Sequence, residues 1–281
     1  ETISRRVLRK ITEHHDALRM VYEKPGASGG KGVIQRNRGI GAKAEGEVFT
    51  LEVFDYKQGE ITAQEKRIQE EAGRIQAGID LEKGPLVKVG LFKTTRGDHM
   101  LIVIHHLVVD AVSWRILLED LAEGYRQAMR NEPLRYPPKT DSFRKWASRL
   151  KEYAESPTLM RELEYWKRIE ETPVSPLPVD FEISPGEKKL KNLATLQMRL
   201  EPEETRQLLR EVNRAYGTEV QDILLAALGQ AIREWTGRDR VLLHMEGHGR
   251  EEIIKDVDVS RTVGWYTTQY PLLLEMEPDR D

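Results

Sequence analysis

The chain has 281 residues, 39% of them hydrophobic and 32% charged, with a formal net charge of −3. That is the profile of a soluble globular protein with ample core for one large domain or two ordinary ones, and it gives no general attraction to nucleic acid or an anionic membrane surface. Cysteine is absent, which excludes disulfides, thiolate metal ligands and cysteine nucleophiles and suits a cytoplasmic location.

Apolar residues at helical spacing (Ile3, Val7, Leu8, Ile11, Leu18, Val21) predict a first helix over 3–22. His14 and His15 fall inside it as packing or surface residues. The Gly-rich stretch that follows, 25–47, reads as a loop or hairpin. "PGASGGKG" is not a phosphate loop, because Pro25 stands where its first glycine belongs and Gly32 follows Lys31. "GIGAKA" has dinucleotide-loop spacing but no apolar strand before it.

"VFTLEVFDY" predicts a strand and 61–78 a charged helix. "PLVKVGLFKT" and "HMLIVIHHL" predict two strands joined at the turn "TRGD". A long helix follows, with Trp114, Leu117, Leu118, Leu121, Tyr125 and Ala128 on one stripe, and then two amphipathic helices near "SFRKWASRLKEYAE" and "LMRELEYWKRIEE". "TPVSPLPVDFEISPGE" has four prolines and predicts a linker over 173–186, between a lobe of 1–172 and the start of a second over 187–281. Beyond it come a strand at "LATLQMRL", a helix from Pro202 stopped at Gly217, and a helix over "VQDILLAALGQAIREW" apolar enough to be buried. "VLLHMEGHGRE" predicts a strand entering a glycine turn, and "VGWYTTQYPLLLE" a last extended segment. The mixed order indicates an α/β sandwich.

The sharpest feature is "HHLVVDAVSWRILLEDL", starting at His105. Neighbouring side chains on a strand face opposite ways, so one of His105 and His106 is expected to be buried and structural, the other free for chemistry. Opposed faces also make His105, His106 and Asp110 a poor metal set. Asp110, at the mouth of the next helix, can cap backbone N–H groups or hold an arginine.

This segment resembles the His-His-x-x-x-Asp signature of the condensation-domain superfamily of nonribosomal peptide synthetases, whose fold is similar to chloramphenicol acetyltransferase. Its continuation, Val112-Ser113-Trp114, resembles the epimerization domains in particular. So do "VQDILLAAL" from Val220, "EGHGRE" from Glu246 and "RTVGWYTTQYP" from Arg261; "EHHDALRMVY" resembles the superfamily's Arg-His-Glu-x-Leu-Arg region. Ala111 departs from the glycine usual after the aspartate, and carries a steric cost if that turn needs positive φ. The chain begins after the superfamily's first motif and stops before the last ones, so a two-lobed sandwich with an incomplete second lobe is expected.

The resemblance implies inversion of the α-carbon of an aminoacyl or peptidyl thioester, by proton removal and return, as one step of antibiotic-type secondary metabolism. The substrate hangs on the phosphopantetheine arm of an upstream carrier domain, a downstream condensation domain is a further partner, and the domain binds no cofactor or metal of its own. By the same resemblance His106 is the catalytic base, and histidine titrates near neutrality. Glu246 is the second proton-transfer group, with burial expected to tune it. His105, Asp110 and Arg250 are structural at the site, the latter two as an ion pair. Ser113, Trp114, Trp265 and Tyr266 line the substrate channel, and N–H groups of the helix near Ser113 are candidate donors to the enolate oxygen. A condensation domain sharing His106, and a silent docking relative, are the alternatives; "EGHGRE" and Val112-Ser113-Trp114 argue against the first, and the retained His106, Asp110 and Glu246 against the second.

Overall fold

The computed structural model describes residues 1–24, 32–40, 48–58, 60–184, 186 and 189–276. The loop readings over 25–31 and 41–47, with most of both glycine motifs, lie outside them. The chain divides into two compact units, Glu1–Met160 with Gly247–Thr268, and Arg161–Glu246 with Gln269–Asp281.

The first unit opens with α1 (Thr2–His14), which buries Val7, Leu8 and Ile11. It is shorter than its apolar pattern predicts. His15 is extended (φ −96°, ψ 107°) and its N–H closes on Ile11 O, so Leu18 sits in a 3₁₀ turn and Val21 in β1 (Met20–Glu23). Both stay buried, which is why the spacing still looked helical. β1 pairs antiparallel with β2 (Ile34–Asn37).

β3 (Thr50–Asp55), β4 (Val87–Thr94) and β5 (Gly97–Ile104) form one sheet in the order β3-β4-β5. β3 and β4 run parallel, so the chain must cross over between them, and α2 (Ile61–Ala77) is that crossover. β4 and β5 form a hairpin with Thr94 opposite Gly97, and Thr94 Oγ1 donates to Gly97 O at 2.7 Å. β4 is central and reads as a nearly continuous apolar run because both of its faces are covered.

α3 (Ala111–Met129) lies against α1 and buries Ile116 and Leu117 in the core that also holds Val87, Val89 and Leu91. Each such side chain contributes roughly 1.5–3 kcal/mol by leaving water. α4 (Phe143–Ala154) starts at the Ser142 cap, and α5 (Pro157–Met160) ends the first stretch of the unit.

Residues 247–268 return to this unit, and hydrogen bonds tie them down. Asp141 N donates to Asp258 O at 2.7 Å, Asp258 N to Asp141 Oδ2 at 3.0 Å, and Lys145 Nζ to Asp256 O at 2.7 Å. The division therefore falls at Met160, not at the proline-rich stretch, and the "EGHGRE" turn beyond Glu246 joins the first unit. Proline marks where periodicity stops, whereas the contacts of 247–268 decide which body it joins.

The second unit contains α6 (Leu163–Glu171), the irregular stretch through the predicted linker, α7 (Pro202–Gln207), a π segment (Leu208–Val212), α8 (Asn213–Tyr216) and α9 (Val220–Thr236). β6 (Arg240–Gly247) and β7 (Thr268–Glu275) pair as its sheet. Gly217 ends α8 in the left-handed conformation (φ 64°), as its stop role requires. Two expectations fail here. Residues 193–200 form no strand, since none of the described strands pairs with them. α9 is not buried: of its residues only Gly229 and Ile232 are, while Leu224 and Leu228 stay exposed, because no described element covers that face.

Candidate functional site

β5 ends at Ile104, so strand alternation no longer governs the histidine pair. His105 is extended and caps a 3₁₀ turn, His106–Val108: its Nδ1 accepts the Leu107 N–H at 3.2 Å. Tyr22 Oη donates to Leu107 O at 3.0 Å from the other side. His105 is thus half-buried and spent on backbone, and His106 is exposed at the surface of its unit. The two histidines differ in exposure, His105 being half-buried where burial was expected, and they separate through a turn and not through opposite strand faces.

His106 makes no hydrogen bond to the other described residues. Its imidazole meets the indole of Trp265 edge to face, with ring centroids 5.4 Å apart and planes at 63°. Trp265 is itself 44% exposed.

Below this surface lies a buried polar network. Asp110 caps α3, its Oδ1 accepting the Ser113 N–H at 2.7 Å, and its Oδ2 accepts the Tyr266 N–H at 3.1 Å. Arg250 Nη2 reaches Asp110 Oδ1 at 3.2 Å and Ser113 Oγ at 3.0 Å, and Nη1 donates to Val259 O and Thr262 O, each at 2.7 Å. The Arg250 guanidinium carbon lies 4.0 Å from the Tyr266 ring centroid. Burial alone pushes the Asp110 carboxyl up, but the hydrogen bonds from Ser113 and Tyr266 and the Arg250 charge outweigh it and hold it below the usual carboxylate range. Asp110 and Arg250 are therefore paired as the sequence suggested.

Two channel assignments change. Ser113 is fully buried, and its hydroxyl is used by Arg250, Gly264 N and Gly264 O. Tyr266 is 1% exposed, enclosed by Arg250, Phe143 and Trp146. Trp114 packs against the core beside α1 and β5. Ser113 and Tyr266 support the site from inside, because the first turn of α3 and the returning segment are hydrogen-bonded face to face. The candidate enolate donors narrow too: Ser113 N is taken by Asp110 Oδ1 and Trp114 N by Asp110 O, which leaves Ala111 and Val112 in the first turn.

Ala111 carries no strain. It is the first helical residue of α3, and the one non-glycine at positive φ among the described residues is Asn131. The position with a true glycine requirement is Gly249, which sequence reasoning passed over. Its φ is +67°, and a Cβ there would fall 1.7 Å from Tyr266 O. The signal was present in "EGHGRE", whose second glycine precedes Arg250.

Glu246 belongs to the second unit, on β6. Contrary to the expected burial it is exposed, and its Oε1 accepts from Gln269 Nε2 at 2.8 Å.

A second polar cluster, also missed, joins the end of α1 to α3. His15 Nε2 lies 2.9 Å from Asp120 Oδ2, and Arg261 Nη2 donates to Asp120 Oδ1 at 2.6 Å, with His15 and Asp120 buried. His14 is pushed down to about 4 by burial and by its neighbours His15 and Lys139. Together with Lys139, Arg144 and Arg261 these histidines line a cavity of about 340 Å³. His14, His15 and Asp120 are also the described group that sits close enough to share a metal ion. The cations around them disfavour one, and Asp120 is already neutralised by Arg261, so the cluster reads as an ion-pair network.

The sequence matches the Condensation domain family over residues 2–281. It is 46% identical over 275 residues to tyrocidine synthase 1 of Brevibacillus parabrevis, covering 96% of this chain and 24% of that protein. It is 50% identical over 275 residues to surfactin synthase subunit 1 of Bacillus subtilis (strain 168), covering 97% of this chain and 7% of that one. The chain thus spans a quarter or less of these relatives. Among solved structures, the epimerization domain from the third module of tyrocidine synthetase B superposes with a TM-score of 0.90 at 45% identity, over 99% of this chain and 61% of that one. The first condensation domain of the calcium-dependent antibiotic synthetase, in complex with a substrate analogue, shares the fold at a TM-score of 0.72 and 22% identity, over 99% of this chain and 61% of that one. The capped histidine turn, the Asp110–Arg250 pair beneath it and these similarities agree, and the chain belongs to the condensation-domain family.

Proposed function

We propose that this chain is part of an epimerization domain that inverts the α-carbon of an aminoacyl or peptidyl thioester carried on the phosphopantetheine arm of a carrier domain. The observation that carries the reading is its 45% identity, at a TM-score of 0.90, to a solved epimerization domain over 99% of the chain. The motifs "EGHGRE" and Val112-Ser113-Trp114 support the same choice within the family.

In this reading His106 removes the α-proton, and the electron pair left on carbon delocalises onto the thioester oxygen. Sulfur donates weakly into its carbonyl, so this enolate is less disfavoured than that of an ester. The imidazole is suited to the task because neither ring nitrogen is engaged by another described residue. Glu246, by resemblance, is the second proton-transfer group. The Ala111 and Val112 N–H groups at the start of α3 are the candidate donors to the enolate oxygen.

The test loads a carrier domain with an aminoacyl thioester, adds the chain in heavy water, and follows chirality and α-deuterium together. Inverted product carrying deuterium supports epimerization. Transfer of the acyl group to an amine on a second carrier would instead make the chain a condensation domain, and retention of partner binding without either reaction would make it a docking module.

A further inference from the structure

A histidine that must move a proton needs its ring held in one orientation, and a carboxylate hydrogen-bonded to the second nitrogen is the usual way to hold it. The described residues offer His106 no such group; what touches its ring is Trp265, at 5.4 Å and 63°. Trp265 is placed by its neighbours in the chain. On one side Gly264 N donates to Ser113 Oγ at 3.0 Å and Ser113 Oγ donates to Gly264 O at 2.9 Å. On the other, Tyr266 N donates to Asp110 Oδ2 at 3.1 Å. Asp110 and Ser113 lie on the same short stretch as His106, so one framework fixes both rings. Gly264 is itself pressed close, since a Cβ there would come within 2.8 Å of Phe143 Cδ2. The indole therefore has a set position even though it is partly open to water.

We infer that Trp265 is the positioning residue of His106, selecting the imidazole orientation used for proton transfer. An aromatic pair holds a ring through quadrupole attraction and shape, without engaging its nitrogens. Both nitrogens then stay available, one to take a proton from carbon and the other to exchange with solvent. A carboxylate partner would occupy one of them. The inference rests on the epimerization reading for its chemistry, but the ring contact itself is independent of that reading.

The experiment has two arms. In the first, proton–carbon NMR of histidine-labelled chain locates the His106 ring signals, assigned by their loss in His106→Gln. The indole ring current displaces those signals in the wild type; Trp265→Leu abolishes the displacement and Trp265→Phe retains part of it. In the second, turnover of a carrier-bound aminoacyl thioester falls in Trp265→Leu by about 10- to 100-fold in kcat, the scale of a misplaced catalytic group. KM is unchanged, and Trp265→Phe recovers most of the rate. Trp265→Met serves at the same position if the leucine variant does not fold. Unchanged His106 signals in either aliphatic variant would overturn the inference, as would a rise in KM with kcat intact, which would make Trp265 a substrate contact. A wild type that exchanges no α-proton would remove the epimerization reading and leave the NMR arm to decide whether Trp265 fixes the ring.

Discussion

Arg250 and Asp110, far apart in the chain, form a buried ion pair: Nη2 lies 3.2 Å from Oδ1, with the two side chains only 6% and 3% exposed. The pair ties the mouth of α3 to the segment after β6, and Ser113, Val259, Thr262 and Tyr266 complete it. His106 is exposed at the surface, and this network holds the turn beneath it.

Replacing Arg250 by Ala leaves a buried carboxylate without its cation and is expected to cost about 3–5 kcal/mol. Arg250→Lys recovers little. A planar guanidinium serves acceptors on four residues and lies over Tyr266, and an ammonium cannot reproduce that fork. Urea unfolding of the two variants measures both losses; a fully stable lysine variant would show that charge alone matters.

Gly249→Ala is expected to destabilise more than Gly39→Ala. Both glycines sit at positive φ, +67° and +70°, and each substitution incurs about 1–2 kcal/mol of backbone strain. At position 249 the new Cβ collides with Tyr266 O at 1.7 Å, whereas no atom of the other described residues lies within 4 Å of it at position 39. Overpacking adds about 1–3 kcal/mol there. Thermal unfolding of the two variants side by side gives the comparison.

His106→Ala is expected to slow α-proton exchange by about 10²–10⁴-fold, the contribution of a positioned general base. Its stability should stay within about 0.5 kcal/mol of wild type, because the side chain is exposed and its one ring contact among the described residues is with Trp265. Calorimetry beside the exchange assay separates the two effects.

Stability is expected to fall as the pH drops from about 6.5 to about 4. His14 titrates at 6.5 when free and is pushed down to about 4 in the fold by burial and by positive neighbours. Over that interval the unfolded chain binds the proton and the folded chain does not, so acid favours unfolding; above it the contribution is complete. The groups facing His14 are His15, Asp120, Lys139 and Lys10. Urea midpoints measured across this range should flatten in His14→Gln, with the size of the effect reduced by partial exposure.

Much of the fold was legible because its signals are local. The strands at 50–55, 87–94 and 97–104 and the long helix after Asp110 follow from β-branched runs, a two-residue turn and a 3.6-residue stripe. The errors came where local pattern meets distant packing. The stripe through Leu18 and Val21 continued past His14 although the backbone turned there. Residues 193–200 and α9 had apolar patterns, but none of the described strands pairs with the former and no described element covers the apolar face of the latter.

The order of residue types along the chain carries the motifs through which resemblance nominates His106, Asp110, Glu246 and Arg250, since each motif spans only a few neighbours. Tertiary structure alone decided that Ser113 and Tyr266 are buried supports, that Gly249 admits no side chain, and that Trp265 is what touches His106. Those facts depend on two stretches some 150 positions apart being drawn together by hydrogen bonds such as Ser113 Oγ to Gly264 O. A motif encodes which groups are offered; whether a group meets solvent, backbone or another ring depends on the three-dimensional packing of residues remote in sequence.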